Sequence, residues 1–89
     1  MYDIEFSKEA VKHVLQMRKS SPQLYKKFVK LLDELRVHPY TGVGHPEQLK
    51  YLEGVWSRQL DKKNRIRYIV NDATVVVFVV SALGHYDDK

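Results

Sequence analysis

The chain has 89 residues, of which 15 are Lys or Arg and 11 are Asp or Glu, giving a formal net charge of +4, and it has no cysteine. This length allows one domain, over residues 1–89, and the missing cysteine excludes disulfides, thiolate zinc sites and a cysteine nucleophile. The acidic N-terminus does not fit a signal peptide, and no apolar run is long enough for a membrane helix. We therefore expect a soluble, cytoplasmic protein.

The first half of the chain predicts a strand and two helices. Residues 2–6 alternate around Ile4, as in a short strand. Ser7 suits the N-cap of a helix over residues 8–19. Pro22 then opens a second helix over residues 22–37, because proline is tolerated at the first helical position. An apolar stripe on this helix predicts its buried face, formed by Leu24, Phe28, Leu31 and Leu35.

The second half predicts a loop followed by strands. Residues 38–48 contain two Pro and two Gly and read as a loop. The period then changes to two, which predicts strands over residues 49–52, 55–60, 65–70 and 74–83. The last strand is apolar on both faces, as a central strand would be. The expected fold is α+β in the order β-α-α-β-β-β(-β), with the helical hairpin packed on one face of an antiparallel-rich sheet.

Basic residues concentrate on the predicted strands. Between residues 54 and 71 a single acid, Asp61, accompanies five basic residues: Arg58, Lys62, Lys63, Arg65 and Arg67. Such a local excess is typical of a surface that meets phosphate groups. Alternation directs Ile66 and Tyr68 towards the helices and leaves Arg65 and Arg67 on the open face, with Ser57 and Gln59. The open face is therefore the predicted ligand-binding side.

Several chemically capable side chains are expected at one end of this face. Glu47 and Lys50 border the meander, and His85 with Tyr86 follows the last strand. An acid, a histidine and arginines support metal-free phosphodiester transfer, in which the 2′-hydroxyl of RNA is the nucleophile. Spacing alone leaves plainer alternatives open: Glu47 as a solvated loop residue, His85 as a terminal residue without a role, and the arginines as an exposed strand face.

Four segments in order resemble the motifs of the YoeB-type toxins of the RelE superfamily, which belong to type II toxin–antitoxin systems. Residues 42–50 (GVGHPEQLK) resemble their G-x-G-x-P-E-x-L-K segment, and residues 54–58 (GVWSR) their G-x-W-S-R strand. Residues 64–68 (NRIRY) are similar to their arginine-containing strand, and His85-Tyr86 matches their terminal H-Y. The strand and helical hairpin upstream fit the family fold, which is RelE-like and akin to microbial ribonucleases.

The resemblance implies an mRNA interferase that cuts messenger RNA in the ribosomal A site and needs no cofactor or metal. It implies Glu47 as general base, His85 as general acid and Arg65 as the group that stabilises charge on the phosphate. It also implies an RNA-binding set of Lys50, Arg58, Arg67 and Tyr86. Alternation nevertheless places Arg58 on the side of Trp56, which favours a structural ion pair over RNA contact despite the motif. A metal set of His45, Glu47 and His85 is disfavoured, and His13 reads as a solvated helix position.

The resemblance also implies partners: a YefM/Phd-like antitoxin, a second copy of the chain in a homodimer, and DNA only through the antitoxin complex. Two features depart from the family pattern. Gln59 stands where relatives often carry a second arginine, and residues 87–89 (DDK) extend past the usual end. Two alternatives remain open: a non-catalytic ribosome- or RNA-binding inhibitor of translation, and a ParE-like relative that acts on a DNA topoisomerase.

Overall fold

The computed structural model describes residues 1–42, 44–50 and 53–83. In chain order the elements are β1 (Asp3–Phe6), α1 (Lys8–Ser20), α2 (Pro22–Val37), β2 (Glu47–Gln48), β3 (Trp56–Gln59), β4 (Arg65–Asn71) and β5 (Val76–Ser81). Within these ranges no helix combines the length and apolar character needed to cross a bilayer. The α+β order predicted from the sequence is confirmed.

The two helices begin and end where capping chemistry predicts. The Ser7 hydroxyl accepts a hydrogen bond from the Ala10 amide at 3.0 Å, which satisfies one of the unpaired donors at the start of α1. Pro22 is the first residue of α2. This helix ends before His38, because a residue that precedes a proline, here Pro39, is disfavoured in the helical conformation. Both predicted helices are confirmed, and α1 extends one residue past its predicted end.

The five strands form one sheet in the order β1-β5-β4-β3-β2. β1 runs parallel to β5, and the other three pairs are antiparallel. The last strand lies between β1 and β4, so its predicted central position is confirmed. α1 and α2 carry the chain from β1, at one edge of the sheet, to β2, at the other edge. The strands that follow then return towards β1, and the last of them, β5, pairs with β1 in the parallel sense.

One predicted strand is wrong. The sequence predicted a strand over residues 49–52, but the strand that pairs with β3 is Glu47–Gln48, and Leu49 and Lys50 lie outside it. Residues 51 and 52 are outside the described ranges. Glu47 therefore projects from the edge of the sheet and not from a loop. The sequence did not reveal the strand Glu47–Gln48 because two residues are too few to show a period of two. The Pro/Gly-rich segment directly before them also favoured a loop.

The hydrophobic core lies between the two helices and one face of the sheet. Phe28, Leu31 and Leu35 are buried as predicted, and Leu24 is half-buried at the margin. From the sheet, Ile66 and Tyr68 are fully buried against them together with Val77, Val79 and Ala82. The opposite face carries the arginines of β4, and neither α1 nor α2, the helices of the described residues, packs on it. The predicted covered face and open face are both confirmed.

Asp72, in the turn between β4 and β5, joins three separate parts of the chain. Tyr40 donates a hydrogen bond to its Oδ2 at 2.7 Å, and the hydroxyl of Tyr2 donates to its Oδ1. The two donated hydrogen bonds hold the pKa of Asp72 below its ordinary value. The same hydrogen bond, with burial and the nearby negative charge, raises the pKa of Tyr40 to about 12.

These pKa shifts predict how the Asp72 cluster depends on pH. The hydrogen bonds to Asp72 contribute fully to the stability of the fold between about pH 4 and pH 10, the ordinary pKa values of aspartate and tyrosine. Stability is lost at the acid end as pH falls through the lowered pKa of Asp72, and at the alkaline end as pH rises through the raised pKa of Tyr40. Asp72→Asn is expected to move the tyrosinate absorbance titration of Tyr40 from about 12 towards 10. An unchanged alkaline titration in this variant would contradict the assignment.

Candidate active site

A continuous row of polar side chains crosses the open face of the sheet. Each member is the cross-strand partner of the next, through β2, β3, β4 and β5. The row consists of Glu47, Ser57, Arg67 and Ser81. A second row, formed by Gln59 and Arg65, lies two residues away on the same face. Strand alternation thus brings one carboxylate and two guanidinium groups onto the same surface.

Arg65 is held on this face by contacts from three residues. One of its terminal nitrogens, Nη2, lies 3.3 Å from Oε1 of Glu47. Its Nε donates a hydrogen bond to the buried hydroxyl of Ser57, and Nη2 also faces the backbone oxygen of His45 at 3.4 Å. The Arg65 side chain is 18% exposed and that of Glu47 is 57% exposed. The guanidinium is therefore held in place while the carboxylate remains accessible to a ligand.

Two further cations predicted for the site are Arg67, on β4, and Lys50, which follows β2. Arg67 donates from Nε to the buried hydroxyl of Ser81 at 3.2 Å, so a serine orients each of the two arginines. Lys50 is exposed just beyond β2, where the Leu49 amide donates to the Val55 carbonyl at 2.8 Å. The face thus presents a second guanidinium group beside the Glu47–Arg65 pair, as binding of a phosphodiester chain would require.

The glycines of the G-x-G segment are needed for close packing of the loop against the sheet. The Gly44 carbonyl accepts a hydrogen bond from the Gln59 amide at 2.6 Å. A Cβ at Gly44 would lie 2.5 Å from the Gln59 carbonyl oxygen, and the residue has φ +88°, a conformation that L side chains rarely adopt. This contact fixes the backbone that leads to His45 and Glu47, so a glycine at this position helps to place the site carboxylate.

Arg58 does not belong to the exposed face, and its predicted RNA-binding role is corrected. Its side chain is fully buried, with Nη1 3.0 Å from Oε1 of Glu34. Nη2 donates to the backbone oxygens of His38 and Thr41 at 2.8 and 2.7 Å. A guanidinium without exposed surface has no access to RNA. The arginine of the W-S-R motif instead ties the segment after α2 to β3, as the ion-pair alternative predicted.

Loss of Arg58 is expected to destabilise the fold. Arg58→Ala removes the ion pair with Glu34 and the hydrogen bonds to two carbonyls, and the free energy of unfolding should fall by about 3 kcal/mol, in the range for breaking a buried ion pair. The matched control is Arg36→Ala, which removes an exposed pair with Asp33 of 2.7 Å. That change should cost less than about 0.5 kcal/mol. Equal shifts in denaturant unfolding would show that Arg58 is not a structural anchor.

A cationic cleft borders the site where α2 approaches the turn between β3 and β4. The cleft has a volume of about 790 Å³ and is lined by Lys27, Lys62 and Lys63, with His45 and Gln59 on the side of the site. A neighbouring cleft of about 430 Å³ shares Lys27 and adds Lys30. The carboxylate of Asp61 accepts hydrogen bonds from the turn's own backbone. The basic surface therefore continues from the open face around the edge of the sheet.

Of the site residues predicted from sequence, Glu47, Arg65 and Arg67 lie on the open face, and Lys50 is exposed just beyond β2. His85 and Tyr86 lie outside the described residues. Among the residues that are described, no group of three or more His, Cys, Asp or Glu side chains is placed to hold a metal ion. The sequence analysis did not predict that Ser81 contributes to this face. Its pairing with Arg67 could not be derived from alternation, because the β4–β5 pairing contains a register shift between Arg67 and Tyr68. The accessible carboxylate of Glu47 can take a proton, and the guanidinium oriented beside it can stabilise an oxyanion.

Comparisons with known proteins agree on one family. The family model described as "YoeB-like toxin of bacterial type II toxin-antitoxin system" matches residues 6–86. The toxin YoeB of Escherichia coli strain K12 is 32% identical over 73 residues, which cover 81% of this chain and 87% of that protein. The structure of a YoeB dimer from Staphylococcus aureus matches with TM-score 0.85 and 30% identity, covering 96% and 98% of the two chains. A heterotetrameric YoeB–YefM toxin–antitoxin complex from the same species matches with TM-score 0.84 and 28% identity over 97% and 99%.

Proposed function

Because this chain belongs to the YoeB-like toxins of bacterial type II toxin–antitoxin systems, we propose that it is an endoribonuclease that cleaves messenger RNA and so blocks translation. The substrate is mRNA in the ribosomal A site. The 2′-oxygen of one nucleotide attacks the adjacent phosphorus, and the bond from phosphorus to the 5′-oxygen breaks. The products are a 2′,3′-cyclic phosphate and a 5′-hydroxyl.

The observation that carries the proposal is the Glu47–Arg65 pair on the open face. In this mechanism Glu47 takes the proton from the attacking 2′-hydroxyl, and Arg65 stabilises the negative charge that grows on the phosphate oxygens. His85, which follows β5 in the sequence, gives a proton to the leaving 5′-oxygen. Lys50, Arg67 and Tyr86 hold the neighbouring nucleotides. The proton taken from one oxygen and the proton given to the other balance the transfer without a metal ion.

The proposed partners follow from the relatives. The S. aureus YoeB is found in a complex with YefM and also as a dimer. We propose that a YefM/Phd-like antitoxin binds this chain, that two copies associate, and that DNA is reached only through the antitoxin complex. Size-exclusion chromatography of the toxin alone and after mixing with the product of a short neighbouring gene tests both associations.

The test of the reaction is the chemistry of its products. Programmed ribosomes should yield A-site fragments with a 2′,3′-cyclic phosphate and a 5′-hydroxyl. A ribosome-free RNA at high toxin concentration should be cut in EDTA to the same ends, because the nucleophile is part of the substrate. Fragments that carry a 5′-phosphate, or cleavage of free RNA that stops on chelation, would contradict the mechanism.

The lysine-lined cleft predicts how RNA or ribosome binding depends on salt. If Lys62 contacts one phosphate, Lys62→Ala should reduce the slope of log K against log salt by about 0.7 to 0.9, and turnover at saturation should change little. Lys12→Ala is the matched control, because Lys12 is an exposed lysine of α1 that lines neither cleft. Equal slopes for these two variants would show that the cleft does not lie on the RNA path.

A further inference from the structure

His45 adopts a backbone conformation that residues other than glycine rarely adopt. Its φ is +52°, in the left-handed region. In this conformation the His45 carbonyl faces Nη2 of Arg65 at 3.4 Å. His45 is exposed and lines the cationic cleft of about 790 Å³ that borders the site. Residues held in strained conformations are concentrated at functional sites, so His45 is a candidate for a contact with the substrate.

Gln59 lines the same cleft from β3. Its Nε2 donates a hydrogen bond to the backbone oxygen of Asp61 at 3.2 Å, which orients the amide group. This bond uses one hydrogen of the NH₂ group, so the amide keeps the capacity to donate a second hydrogen and to accept at Oε1. Gln59 stands where relatives often carry an arginine. A neutral donor and acceptor thus replaces a cation at this position.

The cleft offers the three kinds of contact that bind a nucleotide of single-stranded RNA. Such RNA is recognised by stacking of its bases on aromatic side chains, histidine included, and by hydrogen bonds to the base edges. Lys27, Lys62 and Lys63 supply positive charge for a phosphate. The carboxylate of Asp61, which also lies at the cleft, accepts hydrogen bonds from the backbone of its own turn. The volume is within the range of about 300 to 1,000 Å³ for sites that hold small ligands.

The cleft adjoins the proposed reaction centre. His45 precedes Glu47 by two residues, so their backbones lie within about 7 Å of each other. Gln59 is the cross-strand partner of Arg65. An RNA strand whose scissile phosphate lies at Glu47 and Arg65 can therefore place an adjoining nucleotide in this cleft.

We propose that the cleft is a subsite for the nucleobase next to the scissile phosphate, in which the imidazole of His45 stacks on the base and the amide of Gln59 binds its edge. The inference rests on the proposed function and adds a base-binding subsite to it. Stacking tolerates every base, whereas hydrogen bonds to an edge discriminate between bases. His45 therefore contributes affinity at this position, and Gln59 contributes selectivity.

The stacking contact is tested by combining His45→Asn with an abasic nucleotide, which keeps the phosphate and lacks the base. Asparagine tolerates the left-handed conformation but has no aromatic ring. In ribosome-free RNA, the nucleotide on each side of the cleavage site is made abasic in turn. For wild type, the abasic nucleotide at one of these positions should lower kcat/KM by about 5- to 10²-fold, the range for one stacked base. In His45→Asn this penalty should shrink by at least about fivefold.

The control for this experiment is His38→Asn, the same substitution at an exposed histidine that lines neither cleft. This variant should keep the full abasic penalty. A full penalty in His45→Asn as well, or no penalty in wild type at either position, would overturn the stacking contact.

The selectivity of Gln59 is tested with four RNAs that differ only in the base at the position that the abasic nucleotide identifies. Wild type should cleave them with different kcat/KM values, and Gln59→Ala should bring these values together, because the edge contact is lost. In His45→Asn the order of the four bases should stay as in wild type. An unchanged spread of values in Gln59→Ala would contradict the role of the amide.

A binding measurement separates the subsite from the proposed reaction. A tetranucleotide of 2′-fluoro RNA has no 2′-hydroxyl nucleophile and is not cleaved by this mechanism. It should shift the ring resonances of His45 and the side-chain amide resonances of Gln59, and a fully abasic tetranucleotide of the same charge should shift neither. Equal shifts with both oligonucleotides, or shifts at neither residue, would overturn the subsite. If wild type cuts no RNA, the proposed function fails, and this titration still decides whether the cleft binds a nucleobase.

Discussion

Replacement of Arg65 by alanine is expected to lower the single-turnover rate of RNA cleavage by about 10²- to 10³-fold, the range for removing one preorganised donor that faces transition-state charge. The guanidinium is fixed before substrate arrives, by Glu47, by the Ser57 hydroxyl and by the His45 carbonyl. No reorganisation is then needed when charge develops on the phosphate. Rapid-quench cleavage on programmed ribosomes measures the effect.

The matched control for Arg65 is Arg67 on the same strand and the same face. Arg67→Ala removes a cation that donates to Ser81 and that is proposed to bind RNA, so binding should weaken more than turnover at saturation. Arg65→Lys should recover only part of the rate, because a lysine cannot reproduce the planar fork of donors. Equal, small effects of Arg65→Ala and Arg67→Ala on turnover would show that Arg65 is only part of a diffuse basic surface.

The helices and the division of the sheet into two faces were predictable because both follow from simple periods. Apolar spacing of 3.6 placed Phe28, Leu31 and Leu35 in the core. Alternation separated Tyr68 from Arg67. The parallel pairing of β1 with β5 was not encoded in either period, because it joins strands that are far apart in the chain. Such pairings depend on the path of the whole hairpin, which local patterns do not contain.

The candidate site was predictable in its charges and less so in its geometry. The sequence motif predicted Glu47 and Arg65 as a functional pair, and their nitrogen and oxygen lie 3.3 Å apart. The motif also assigned Arg58 to RNA, and here alternation was the better guide, because Arg58 is buried beside Glu34. An arginine in a family motif can have a structural role instead of a chemical one, and the face of the strand on which it lies indicates which role it has. His13 shows the converse, since the sequence predicted a solvated helix position, but its Nδ1 accepts hydrogen bonds from two backbone amides just after β5.

The largest losses of cleavage rate are expected for substitutions of Glu47 and His85, the proposed general base and general acid. If Glu47 is the base and His85 the acid, as proposed, the rate should fall at the acid side, where the base is protonated, and at the alkaline side, where the acid is deprotonated. His85→Ala should remove the alkaline limb and lower the rate by about 10²- to 10⁴-fold.

Single-turnover cleavage by wild type, Glu47→Ala and His85→Ala across pH measures both limbs, with growth arrest scored in the same strains. Binding to the ribosome should persist in His85→Ala, since the imidazole is one contact among many, so a lost rate with retained binding identifies catalysis. Glu47→Gln keeps the size of the side chain while removing its basicity, and it should be as slow as Glu47→Ala if the carboxylate acts as a base. Variants that cut no RNA yet arrest growth as wild type does would show that the protein inhibits translation by binding alone. Growth arrest would then depend on the basic face and not on the proposed base and acid.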